Sequence, residues 1–189
     1  MKRILAIALL MGVTFCFAKM LFADTPAPNE AYDKSSPNGQ YRIVMTPQNG
    51  WGGYGAGEGV AYKVEPGRAP AELWKVDFFS SDVTLADDGR HLVAFGPWAS
   101  EMTDLAVAFY QDGKELKRYT VGDLIKDESR LFRTVSHFMW RAYEKKPSGL
   151  SEDGNTFALP LIDGTTVVFD IATGQILETT ELQTIDHRP

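Results

Sequence analysis

The chain has a single cysteine, Cys16, and only three histidines, His91, His137 and His187. A lone cysteine closes no disulfide, and none of the histidines has a second one at metal-ligand spacing. The HExxH pattern of zinc hydrolases is absent, and so is the GxSxG elbow of serine hydrolases. Positive charge is also scarce: 19 basic against 25 acidic residues give a net charge of −6. That balance opposes binding to nucleic acid and to anionic lipid. No apolar run is long enough to span a bilayer: the longest, Ile4 to Ala18, stops after 15 residues at Lys19, where about 20 are needed.

That run follows Met1-Lys2-Arg3, so the start reads as a basic n-region and an apolar h-region, the layout of a secretory signal. The expected signal peptide covers residues 1–23. Cleavage after Ala23 leaves a polar Asp24-Thr25-Pro26 start, whereas cleavage after Ala18 has a smaller residue, Cys16, at the −3 position. Either cut removes Cys16. Phe15 is too large for a lipobox, so a lipid anchor is not expected. Without the signal, 166 residues remain with 16 bases and 25 acids, enough for one domain. The expected location is the periplasm or the exterior, with no membrane insertion after cleavage.

Residues 24–37 hold Pro26, Pro28 and Pro37 and few apolar groups, and read as a flexible tether. From 38 to 185 the chain reads as a single β domain. Short apolar strands alternate with Asn-Gly and Asp-Gly pairs at 38, 88, 112, 153 and 163, dipeptides that accept the positive φ of tight hairpins. Tyr41–Met45 alternates with period two, and Thr165–Phe169 is β-branched and aromatic. One segment departs from this rhythm. Thr120-Val121-Gly122-Asp123 has the form of a capping box and opens a short helix, or two, within 121–133. Val135 to Tyr143 follows as a strand with Phe138 and Trp140 on one face. The expected fold is therefore all-β, of antiparallel blade-like meanders with one short helical insertion.

Three stretches share a grammar: SPNGQYRIVM from Ser36, LADDGRHLVAF from Leu85 and LSEDGNTFALPL from Leu150. The third continues as DGTTVVFDIATGQIL, from Asp163 to Leu177, with Phe169-Asp170 ending a strand and Thr173-Gly174 turning into the next. This stretch is similar to a blade of a β-propeller of the WD40-like or quinoprotein-like kind. Three such units fall short of the roughly 4–8 of a closed ring, so the resemblance implies an incomplete, propeller-like arrangement. The order of DGRHLVAF, a long loop with Trp98, FYQDGKEL and a helix before SHFMW resembles an uncharacterised group of exported bacterial proteins. That resemblance carries no activity with it.

Residues 50–59 read GWGGYGAGEG. Alternating glycines without a strand-to-helix context do not make a dinucleotide loop. The segment reads as a flexible hairpin loop joining Tyr41–Thr46 to Gly59–Val64. Within it Trp51 and Tyr54 are candidates for a platform that stacks a sugar or peptide, with Glu58 as polar anchor. Trp98, in the loop from Gly96 to Thr103, joins them if neighbouring hairpins point the same way; otherwise it folds back onto the core. The carboxylate pairs Asp87-Asp88, Asp127-Glu128 and Glu152-Asp153 sit in turns and at helix starts, where acids cap and solvate. No catalytic residue, metal site or cofactor is expected. The reading is a non-catalytic binding or interaction protein of the cell envelope, whose partner is a glycan, a peptide or an envelope protein, with self-association open. The alternatives are a glycan or peptide hydrolase with unrecognised carboxylates, and a structural or assembly module.

Overall fold

The structure is a computed structural model that describes residues 26–48, 50–142 and 147–181. The expected signal peptide, its cleavage site and Cys16 lie outside the described residues. Among the described residues no helix is long and apolar enough to cross a membrane.

Three four-stranded antiparallel sheets follow one another along the chain, each a meander whose strand order is its sequence order. The first sheet holds β1 (Tyr32–Ser35), β2 (Tyr41–Pro47), β3 (Tyr54–Lys63) and β4 (Ala71–Ser80). The second holds β5 (Val83–Leu85), β6 (His91–Phe95), β7 (Leu105–Gln111) and β8 (Lys114–Thr120). A helical turn α1 (Val121–Leu124), a 3-10 turn (Glu128–Arg130) and a small hairpin of β9 (Phe132–Arg133) and β10 (Phe138–Met139) lead to the third. That sheet holds β11 (Gly149–Leu150), β12 (Thr156–Pro160), β13 (Thr165–Asp170) and β14 (Ile176–Glu181). The fold is all-β, blade-like and not closed into a barrel.

The shared grammar of the sequence has one structural meaning. It makes the turn between the first and second strands of each four-stranded sheet. The N–H groups of Gly39, Gly89 and Gly154 donate to the carbonyls of Ser36, Ala86 and Ser151, at 2.9, 3.1 and 2.9 Å. The three glycines have φ of 70°, 69° and 71°. The residue before each glycine, Asn38, Asp88 or Asp153, accepts from the backbone N–H two positions on, at 2.9, 2.8 and 3.1 Å. A short acceptor side chain followed by glycine thus closes the same turn three times.

Burial explains the strand patterns. In β13, Thr165, Val167 and Phe169 are buried and their neighbours are not, which is the alternation of a strand with one covered face. In β6 every residue is buried, and in β7 so is every residue from Ala106 to Tyr110. The second sheet is covered on both faces. Leu92, Ala94, Ala108 and Tyr110 meet Ile43, Met45, Trp74 and Phe79 of the first sheet. Val93, Phe95, Val107 and Phe109 meet Phe157, Leu159, Val167 and Phe169 of the third. The indole N–H of Trp74 donates to Gly89 O at 2.8 Å and the Tyr119 hydroxyl to Gly174 O at 2.9 Å, tying each sheet to the next.

Thr120 caps α1 through a reciprocal box with Asp123, as the sequence predicts. Three other expectations change. The expected tether 24–37 contains β1, whose Tyr32 packs edge-on against Phe79 and donates to Ser80 O at 2.6 Å. The expected strand from Val135 shrinks to Phe138–Met139, although Phe138 and Trp140 are both buried; Tyr143 lies outside the described residues. The glycine-rich segment is not a loop as far as Gly59, since β3 begins at Tyr54. A Cβ on Gly57 would lie 2.5 Å from Thr46 O and 2.7 Å from Phe79 Cβ, so glycine there serves close strand packing.

Candidate functional site

In an antiparallel meander successive connections alternate between the two ends of the sheet. The repeated turns and the β3–β4, β7–β8 and β13–β14 hairpins share one end. The opposite end carries the β2–β3, β4–β5 and β6–β7 connections and the segment between α1 and β11. There they line an open cavity of about 680 Å³, within the size range of small-molecule sites. Its walls come from residues 27–32, from Gly52 and Gly53, from Phe79, Ser81 and Asp82, and from 95–99 and 137–141.

The floor is an ion pair set among aromatic rings. Arg141 donates to Asp82 at 2.8 Å, and its guanidinium lies 3.9 Å from the centre of the Phe95 ring and 5.6 Å from that of Trp140. A planar cation on the face of an aromatic ring is attracted by the ring quadrupole, and burial strengthens this. Lys34 approaches the same carboxylate at 3.5 Å. The Ser80 hydroxyl, fully buried, reaches the carbonyls of Asp82 and Phe95, both at 2.8 Å, which pins the β4–β5 connection under the cavity. Burial first, and then the Asp82 charge, push the Tyr32 phenol well above its ordinary value, so it remains a neutral donor.

The upper wall is Trp98. Its backbone N–H donates to Gly52 O at 2.8 Å, which joins the β6–β7 loop to the glycine-rich loop. Its ring meets His137 edge-on at 4.2 Å, and His137 Nδ1 lies 2.7 Å from the Thr134 hydroxyl. The Trp98 Nε1 donor is buried and has no hydrogen-bond partner among the described residues. A second such donor belongs to Asn29, and neither nitrogen has surface open to the cavity. Asn29 Oδ1 accepts from Gly53 N–H at 2.9 Å, which fixes the amide orientation. Asn29 Nδ2 is then left buried without a partner.

Of the four candidates from the sequence, one lines the cavity. Trp98 is in the wall. Trp51 precedes the lining residue Gly52 but is not itself in the lining; it is 61% exposed and held by an isolated antiparallel bridge to Pro28. Tyr54 is elsewhere, stacked on Phe78 at 5.5 Å and packed against the core between the first two sheets. Glu58 is exposed on β3, 4.0 Å from Lys75, and borders a separate open depression with Asp77 and Gly113. Sequence reasoning missed Asn29, Asp82 and Arg141. Asn29 lay in the stretch read as a tether. Arg141 carried a visible signal, a charge following Phe138-Met139-Trp140 in an otherwise apolar stretch. Among the described residues no group of three or more His, Cys, Asp or Glu could hold a metal ion. No family model matches this chain, and no curated protein matches it.

Proposed function

We propose that this chain is an exported, non-catalytic binding protein of the cell envelope, and that it holds a small ligand in the loop-end cavity. The observation that carries this reading is the loop-end cavity itself, which brings Phe79, Trp98, Phe138 and Trp140 together with Asn29, Asp82 and Arg141. Aromatic walls with a few convergent polar groups are the usual make-up of such sites. The Asp82 carboxylate, matched by Arg141 and Lys34, is engaged in structure rather than free for proton transfer. The basic start and short apolar run support export, and the thrice-repeated meander supports a reading of the sheets as blades of an incomplete WD40-like or quinoprotein-like propeller.

The test is native mass spectrometry of the mature protein recovered from its own host. The expected result is a mass adduct of a small molecule, present in the wild type and lost in Trp98→Phe and Asn29→Asp. An adduct kept in full by both variants, or no adduct at all, contradicts the proposal.

A further inference from the structure

We propose that two copies of this chain join head to tail, the outer face of each third sheet seating on the outer face of the other copy's first sheet, and so close a ring of six sheets. The repeated turns put the three sheets of one chain in a common frame. Counted from Gly39, Gly89 and Gly154, Arg42 and Val44 of β2 correspond to Leu92 and Ala94 of β6 and to Phe157 and Leu159 of β12. Ile43 and Met45 correspond in the same way to Val93 and Phe95 and to Ala158 and Pro160. Side chains alternate along a strand, so every sheet has a leading face, with the first set, and a trailing face, with the second.

Inside the chain a trailing face meets a leading face twice. Ile43 and Met45 pack with Leu92 and Ala94, and Val93 and Phe95 pack with Phe157 and Leu159. The leading face of the first sheet and the trailing face of the third are left over, and they are the two halves of that same contact. A head-to-tail contact makes a closed ring when its rotation closes, and six sheets fall within the roughly 4–8 of closed propellers. Both left-over faces have an uncharged centre. On the third sheet it is Ala158, Thr166 and Val168, all half-buried, with Ala158 and Val168 cross-strand partners. On the first it is the cross-strand pair Val44 and Val60, with Tyr62 beside them opposite Arg42.

Charge says which face meets which. Strands β11 to β14 contain acids and no base. On the trailing face Glu178 pairs with Val168, and Asp170 stands opposite Thr156 near the turn end. The first sheet offers two bases at matching levels: Lys75 on its fourth strand, paired with Val60, and Arg42 near its turn end. Their partners within the chain are exposed and distant, Asp33 at 3.8 Å from Arg42, and Glu72 and Glu58 at 3.4 and 4.0 Å from Lys75. Such pairs contribute little, which leaves both bases open to carboxylates of a second copy.

The experiment is sedimentation equilibrium of the mature protein from about 1 to 200 µM, a range that brackets ordinary reversible association. The expected result is a monomer–dimer equilibrium. Val168→Arg puts a charge at the centre of the contact and should weaken association about a hundredfold or more. Lys75→Glu should weaken it about tenfold, and adding Glu178→Lys to Lys75→Glu should restore it. Far-ultraviolet spectra matching the wild type show that the variants fold; if Val168→Arg does not, the charge exchange decides. A monomer at every concentration overturns the proposal, and so does a dimer that neither Val168→Arg nor Lys75→Glu weakens. An open-ended ladder of larger species overturns the closed ring. The contact uses sheet faces and not the cavity, so the adduct in native mass spectrometry tests the binding reading separately.

Discussion

Trp51 and Trp98 are the same residue type on neighbouring loops, and their surroundings give them different work. Trp51 is 61% exposed, so its removal leaves no cavity in a core. Trp51→Ala should shift the unfolding free energy by no more than about 0.5 kcal/mol. Trp98 packs on His137 and hides a donor that nothing accepts from. Trp98→Phe keeps an aromatic ring and removes that donor, so the free protein should be at least as stable as the wild type. Thermal melts of the two variants check both outcomes; a large loss in Trp51→Ala would place its ring in the core. Gly57 behaves differently again. A Cβ there meets Thr46 O, a backbone atom that cannot swing away. Gly57→Ala should cost roughly 1–3 kcal/mol, as overpacking does, measured by the urea midpoint.

At the scale of elements, the turns and the helical insertion hold carboxylates below their ordinary range. Asp112 is held there by the Arg90 guanidinium, and Asp123 by the backbone N–H and hydroxyl of Thr120. Asp153 is held by the Ser151 hydroxyl and the N–H of Asn155. In Asp88 burial works the other way, and hydrogen bonds from Arg90 and His91 outweigh it. A carboxylate whose folded value is lowered stabilises the fold above its unfolded value and loses that contribution as pH falls through the folded one. Urea midpoints should therefore be flat between about pH 5 and 7 and fall below about pH 4, where unfolded carboxylates begin to protonate. A midpoint unchanged down to pH 3 would contradict this.

The same turns show what the sequence makes plain. An Asn or Asp before Gly is a local instruction, so Gly39, Gly89 and Gly154 could be placed from two residues each, and the Thr120–Asp123 box from four. Gly57 could not, because its reason is a neighbour ten or more positions away on β2 and β4. Strand β1 was hidden for a similar cause. Its sequence, Tyr-Asp-Lys-Ser, is polar, and only its pairing with β2 makes it a strand.

At the scale of the molecule, the second sheet is shared by both cores. Loosening either face should loosen the other, so unfolding is expected as one transition. Leu92→Ala, facing the first sheet, and Phe109→Ala, facing the third, should both lower a single midpoint, by about 2–5 kcal/mol each. Two separated transitions in the calorimeter would show that the cores are independent. The runs Leu92–Phe95 and Leu105–Tyr110 are in keeping with this arrangement, since continuous apolar runs mark strands covered on both faces. The site was less visible. Its residues come from five separate stretches between 27 and 141, and only the stacking of sheets brings Asn29, Asp82, Trp98 and Arg141 together. Trp51 and Trp98 could be proposed in advance because an aromatic residue in a glycine-rich or proline-bearing loop is conspicuous by type, whereas Asn29 is not. The central claim is that ligands enter at the loop end. It is tested most directly by mapping backbone amide shifts of the mature protein as the molecule found by native mass spectrometry is titrated in. The account predicts shifts at 27–32, 50–53, 96–99 and 137–141; shifts concentrated at the opposite end, around Gly39, Gly89 and Gly154, would contradict it.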